Sequence, residues 1–234
     1  MDRKDIEAIF DQQAASYDQQ WAKLAPIGAA MHLLLGAVFS RLPADARLLC
    51  VGAGTGTEIL FLAERFPGVS FVAVEPSAPM LDVCRRRMTE HGVAARCTFH
   101  HGYVESLPAS ERFDAATAFL VSQFIMDPQQ RSRFFRDIAD RLKPGGYLAT
   151  ADLAADIDSV EYHSLLEVWL RMMAAGDVSP EMMERIRAAY GRDVAVLPPE
   201  RVRAIIAAGG FESPVPFFQG GLIHAWYARA NAPF

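Results

Sequence analysis

Three glycines and one carboxylate are the residues best placed to do chemistry. Gly52, Gly54 and Gly56 form a Gly-x-Gly-x-Gly run directly after the apolar stretch Leu48-Leu49-Cys50-Val51, and Glu75 closes the next apolar stretch, SFVAVE. Glycines at such a turn permit tight backbone curvature and close approach of a ligand, and a helix that starts there offers unpaired N–H groups. An acidic residue ending the following strand can accept hydrogen bonds from both ribose hydroxyls of an adenosine. The pattern therefore points to an adenosine-bearing cofactor. Nicotinamide dinucleotide is disfavoured, because its G-x-G-x-x-G fingerprint needs glycine at position 57, which is Thr57.

The surrounding elements must hold this turn in place. Apolar strand-like runs at 47–51, 70–75, 97–100, 113–119 and 147–153 alternate with helical patterns at 57–66, 79–90 and 128–142. Such alternation predicts βαβ units, a mostly parallel sheet and helices on both faces. Two helical patterns, 4–16 and 26–42, precede it. Two more, 159–175 and 180–190, follow the fifth strand without a strand between them, and another covers 199–208. Runs at 213–218 and 222–229, joined by Gln219-Gly220-Gly221, can pair only as an antiparallel hairpin. The expected fold is α/β: a doubly wound, seven-stranded, mostly parallel sheet with a terminal antiparallel hairpin. Residues 1–234 are expected to form a single domain, with N-terminal helices over 1–45 and a helical cap insertion over 155–198.

Composition narrows the partners. The 234 residues carry 23 basic and 28 acidic side chains, a formal charge of −5. That balance argues against nucleic acid, whose binding rests on phosphate neutralisation. The first residues are polar and amphipathic, and the apolar stretch at 29–39 is far too short to span a bilayer. Cys50, Cys84 and Cys97 form no CxxC pair and read as buried thiols. A cytoplasmic protein without a membrane partner is expected, its oligomeric state open. His100 and His101 are adjacent, a poor chelating geometry, so no metal is expected.

The ordered set of motifs resembles the class I S-adenosylmethionine-dependent methyltransferases over nearly the whole chain. LLCVGAGTG is similar to their first motif and FVAVEPSAPML to their second. HHGYVESLP is similar to their third, FDAATAFLVSQFI to their fourth strand, RLKPGGYLATAD to their fifth, and GFESPVPFFQGGLIHAWYARA to their terminal hairpin. FDQQAASYDQQW resembles the Tyr-Asp segment that often lids the cofactor. The resemblance implies S-adenosyl-L-methionine as cofactor. It implies contacts from Tyr17, from Val51, Gly52, Ala53, Gly54, Thr55 and Gly56, and from Glu75, Pro76, Ser77 and Met80. Gly102, Tyr103, Val104, Phe119 and Leu120 complete the expected cofactor site. Two positions depart from the family pattern. Cys50 stands where an acid two residues before the first glycine is usual, and Tyr103 replaces an Asp. The second change implies that adenine is held by backbone N–H groups near Tyr103 and Val104 and by stacking.

Ligands of an open parallel sheet lie outside the carboxyl ends of its strands. That edge brings in the segment 119–124 with Gln123 and Phe124, Asp152, the last turn with Gln219, and His224. His224 and His163 are candidate general bases, needed only if the acceptor must lose a proton. Asp152 either orients substrate or satisfies backbone at a strand end. Trp169 and Met173 on the cap, if they line the pocket, mark an apolar or aromatic acceptor. The expected function is in-line methyl transfer to a small, partly apolar molecule. A synthase of carboxy-S-adenosylmethionine and a non-catalytic adenosylmethionine-binding protein are the alternatives.

Overall fold

The computed structural model describes residues 2–109, 111–174 and 179–231. Seven strands make one sheet: β1 (Arg47–Val51), β2 (Ser70–Glu75), β3 (Cys97–His101), β4 (Phe113–Phe119), β5 (Leu142–Leu153), β6 (Val215–Gly220) and β7 (Ile223–Arg229). Their order is β3-β2-β1-β4-β5-β7-β6. The first five pair in parallel, and β7 runs antiparallel between β5 and β6. The chain order reverses beside β1, so the loops after β1 and β4 diverge there and leave a crevice.

Parallel pairing forces crossovers, and these cover both faces. Alternation along each strand sorts the core. Leu49, Val51, Val72 and Val74 pack on one face with Phe135 and Ile138 of α6 (Pro128–Ala139) and Ile206 of α9 (Pro199–Ala208). Leu48, Cys50, Phe71 and Ala73 pack on the other with Leu35 of α3 (Ala25–Val38), Ile59 of α4 (Thr57–Arg65) and Leu81 of α5 (Ala78–Glu90). Helix starts are set locally. The Ser77 hydroxyl accepts from the Met80 N–H, the Asp127 carboxylate accepts from the Gln130 N–H, and proline occupies the first turn of both helices.

A third apolar cluster lies beyond the carboxyl end of the sheet. It joins Leu153, Ile223 and Ala225 to Leu166, Trp169, Leu170 and Met173 of α7 (Val160–Ala174) and to the returning segment Val194 and Val196. α8 (Pro180–Ala189) packs on α7. The amino-terminal α1 (Arg3–Gln13) and the single turn α2 (Tyr17–Gln20) cross the same end. α1 buries no residue fully. None of the described helices is long and apolar enough to cross a membrane.

Helices α1, α3 and α6 each end three or four residues before the expected position, and two strand boundaries of the sheet also differ from expectation. The segment after α6 enters β5 at Leu142, because Phe113 pairs with Leu142 ahead of an irregularity at the Pro144-Gly145-Gly146 run. In the hairpin, β6 extends through Gln219 and Gly220, so the turn is Gly221-Leu222. Phe218 and Gln219 pair with Ala225 and His224, and a bulge after Pro216 shifts the register by one.

Candidate functional site

The glycine turn is built by left-handed backbone. Gly52, Gly54 and Gly56 have φ of 66°, 52° and 80°. A Cβ on Gly52 would meet Val121 Cγ2 at 2.3 Å, and one on Gly56 would meet Cys84 Sγ at 2.6 Å. Both positions are thus closed by neighbouring side chains. Gly54 differs: a Cβ there meets no heavy atom within 4 Å. Its backbone faces an open cavity of about 190 Å³.

Glu75 stands opposite. Its Oε2 accepts the Gly54 N–H at 2.9 Å and its Oε1 the Ser77 N–H at 2.9 Å. Burial pushes the carboxyl up from its ordinary value, and the Ser77 and Gly54 N–H bonds pull against it. A carboxylate has about four acceptor sites. Two are used, so the side chain keeps acceptor capacity at the wall of the cavity it borders.

The same cavity is lined by Val51, Gly52, Pro76, Ser77 and Met80, by Gly102, Tyr103 and Val104, and by Tyr17, Phe119, Leu120 and Phe124. Three other residues of the expected cofactor set do not border it. Ala53 is packed in the core, Gly56 is wedged under Cys84, and Thr55 is buried. The Thr55 hydroxyl donates to Asp18 Oδ1 at 2.7 Å and accepts from Arg87 Nη1 at 2.9 Å.

α1 closes the cavity from above with Arg3, Ile6, Glu7 and Phe10, residues that the sequence reading did not single out. Polar contacts pin this segment around the rim. Ser77 Oγ donates to Asp11 at 2.6 Å, and Arg87 pairs with Asp18 at 2.9 Å. Arg3 pairs with Glu105 and lies over the Tyr103 ring, 4.6 Å from its centroid. The signal for α1 was weak, since its apolar positions are few and its outer face is charged.

A second, larger cavity of about 560 Å³ adjoins the first. The two share Ile6, Phe10, Tyr17, Leu120 and Phe124. Leu120 sits at this junction with φ 58°, a strained value for a side-chain-bearing residue, held by its N–H bond to Ala151 O. Burial raises the Tyr17 hydroxyl to about 12, so it is protonated at neutral pH. Gln123, Leu153, Trp169, Met173, Tyr190 and Ile223 form the far wall.

Four expected residues lie elsewhere, and strand parity explains three of them. Asp152 pairs with His224, and His224 with Gln219, so all three share one face of the sheet, while their neighbours Leu153 and Ile223 face the cavity. His224 stacks on Trp226, with ring centroids 5.9 Å apart, and burial lowers its pKa. Gln219 is exposed on β6. His163 is exposed on α7, outside both cavities. Asp152 is fully buried in a polar hub. It accepts from Ser122 Oγ at 2.7 Å and from the Gln123 N–H at 2.9 Å, and it pairs with buried Arg131 at 3.0 Å. The hub reaches the returning cap segment, where Arg131 Nη1 donates to Ala195 O and the Ala195 N–H donates to Gln123 O.

Residues 48–146 match the family described as methyltransferase domain. That match, over the segment holding the glycine turn and Glu75, joins the sequence motifs in supporting a class I S-adenosylmethionine-dependent methyltransferase. A cypemycin N-terminal methyltransferase from a Streptomyces species is 33% identical over 142 residues, covering 59% of this chain and 54% of that protein. The demethylmenaquinone methyltransferase of Thermus thermophilus is 28% identical over 217 residues, covering 87% of this chain and 91% of its own length. A solved S-adenosylmethionine-dependent methyltransferase from Methanosarcina mazei superposes with a TM-score of 0.62 at 17% identity, covering 84% of this chain and 98% of that one. That structural likeness speaks to the fold. The chain spans about half the length of several curated relatives it matches. Cys50 and Tyr103 remain the departures from the family pattern that the motifs resemble. Cys50 is buried in the core beneath the turn, and burial pushes its thiol pKa well up.

Proposed function

We propose that the chain transfers a methyl group from S-adenosylmethionine to a small, largely apolar molecule. One observation carries the reading. A cavity bordered by the glycine turn and Glu75 opens, at Phe10, Tyr17 and Leu120, into a larger apolar one under the cap. The smaller cavity fits the cofactor on two counts: bare backbone at Gly54, and a carboxylate with acceptor capacity at Glu75. When bound, the cofactor supplies a methyl group already activated by a positively charged sulfur.

The chain's own part is to bind, orient and exclude water. Glu75 holds ribose hydroxyls, and N–H groups near Tyr103 and Val104 hold the adenine. α1 and Tyr17 roof the junction, and Leu120 and Phe124 separate donor from acceptor space. Fixing two reactants in line can itself lower a barrier by roughly 7 kcal/mol or more. Among the described residues, the ionisable side chains bordering the larger cavity are Tyr17, Asp18, Arg87 and Tyr190. Asp18 is tied to Arg87 and Thr55. With His224, His163 and Asp152 outside, positioning rather than general-base catalysis is the chain's contribution. Calorimetry with S-adenosylhomocysteine and NAD tests the donor half. Binding of the first and not the second is expected, and tight NAD binding without an S-adenosylhomocysteine signal would overturn the assignment.

A further inference from the structure

The polar groups on the far wall of the larger cavity restrict what that cavity can hold. Gln123 is almost wholly engaged. Its N–H donates to Asp152 Oδ1, its carbonyl accepts from the Ala195 N–H at 2.7 Å, and its Oε1 accepts from the Leu153 N–H at 2.7 Å. The last bond also settles the orientation of the amide, because only the oxygen can accept from Leu153. What remains is Nε2, with two N–H groups and no protein acceptor among the described residues, on a side chain that borders the cavity.

Tyr190 behaves in the same way. Its oxygen accepts the Trp169 Nε1–H at 3.0 Å, and its own hydrogen has no protein acceptor among the described residues. Burial raises this hydroxyl to about 12, so it stays protonated. Tyr190 borders the cavity as well. The two groups are therefore both neutral donors, set in a wall that is otherwise Trp169, Met173, Leu153, Ile186 and Ile223.

We infer that the larger cavity takes an uncharged, largely apolar molecule that carries a hydrogen-bond acceptor, such as a carbonyl oxygen, directed at Gln123 Nε2 and Tyr190 Oη. This deepens the methyl-acceptor reading above and rests on it. A carboxylate would bring a charge into an apolar wall that offers no cation, since Arg87 is already committed to Asp18 and Thr55. An ammonium would meet two donors at this wall, and Asp18, the carboxylate bordering the cavity among the described residues, is already engaged by Thr55 and Arg87. A pure hydrocarbon would leave both donors unpaired, at a cost that falls on the complex. The backbone of Gln123 is fixed by Asp152 and Ala195, so its donor is preorganised and little ordering is needed on binding.

The matched probes are 9-fluorenone and fluorene, which differ in a carbonyl against a methylene, with 9-fluorenone-4-carboxylate as the charged control. Binding is read by quenching of tryptophan fluorescence, with S-adenosylhomocysteine affinity measured alongside. In Gln123→Met the ratio of fluorenone to fluorene affinity should fall about fivefold, and in Tyr190→Phe about twofold to threefold, while fluorene affinity itself holds. The carboxylate should bind at least about tenfold more weakly than fluorenone. The carbonyl stretch of bound fluorenone should move to lower frequency in the unaltered protein. That last reading needs no variant, so it stands even if Gln123→Met fails to fold. An unshifted carbonyl band, or an unchanged ratio in a folded Gln123→Met protein, overturns the inference. If S-adenosylhomocysteine binds in those cases, the methyltransferase reading survives without it. If that ligand does not bind, the donor assignment is what has failed.

Discussion

The two cavities meet at Ile6, Phe10, Tyr17, Leu120 and Phe124, yet they are made in different ways. The smaller is walled by strand ends and by backbone: the left-handed Gly52 and Gly54, the Glu75 carboxylate held by two N–H bonds, and the Gly102 turn. The larger is walled by side chains of helices, with Trp169 and Met173 from α7 and Tyr17 from α2. A wall of backbone at a sheet edge is dictated by topology and tolerates little change. A wall of helical side chains can be re-cut one residue at a time without moving the sheet. On the proposed function, the first suits the cofactor and the second the methyl acceptor.

The largest expected effect strikes the hub that connects the two regions. Arg131→Met removes the cation paired with fully buried Asp152. Stability should fall by about 3–5 kcal/mol, the range for an uncompensated buried charge. Urea melts measure it, and a loss under about 1 kcal/mol would place the Arg131–Asp152 pair among ornamental contacts.

Next comes the backbone wall. Gly54→Val puts a branched side chain into the open space beside Glu75 and onto a backbone at φ 52°. S-adenosylhomocysteine should bind at least about a hundredfold more weakly, by calorimetry, with the variant still folded. Near-normal affinity would mean that the cofactor lies elsewhere. Glu75→Ala should cost at least about tenfold through lost charge-assisted hydrogen bonds.

The smallest effects belong to the helical wall. With an acceptor in hand, Trp169→Ala should raise its KM. The S-adenosylhomocysteine dissociation constant should change by less than about threefold. Equal losses in both would dissolve the distinction between the cavities.

This difference in construction also governs what could be read from sequence. Glycines at 52, 54 and 56 and the acid at 75 follow from strand–turn–helix patterning, and the structure sets Gly52, Gly54 and Glu75 around one cavity. Ala53, Thr55 and Gly56 share the motif yet serve the core and the lid, because a motif is contiguous in sequence while a cavity touches only some of its atoms. Asp152, His224 and Gln219 sit at the right edge of the sheet on the wrong face. An edge can be read from topology, but a one-residue parity depends on where the hairpin turn falls. A lid could be read by resemblance over residues 10–21, but the part played by Arg3, Ile6 and Glu7 could not, because no residue of α1 is fully buried and its attachment runs through scattered polar pairs.

The central claim is that Glu75 and Gly54 border the cofactor's chamber and that the cap borders another. A crystal structure of the protein grown with S-adenosylhomocysteine tests this most directly. The account predicts ligand density in the smaller cavity, with the ribose hydroxyls on the Glu75 carboxylate, and the space beside Trp169 and Gln123 left free of it. Ligand density in the larger cavity, or a ribose with no contact to Glu75, would contradict it.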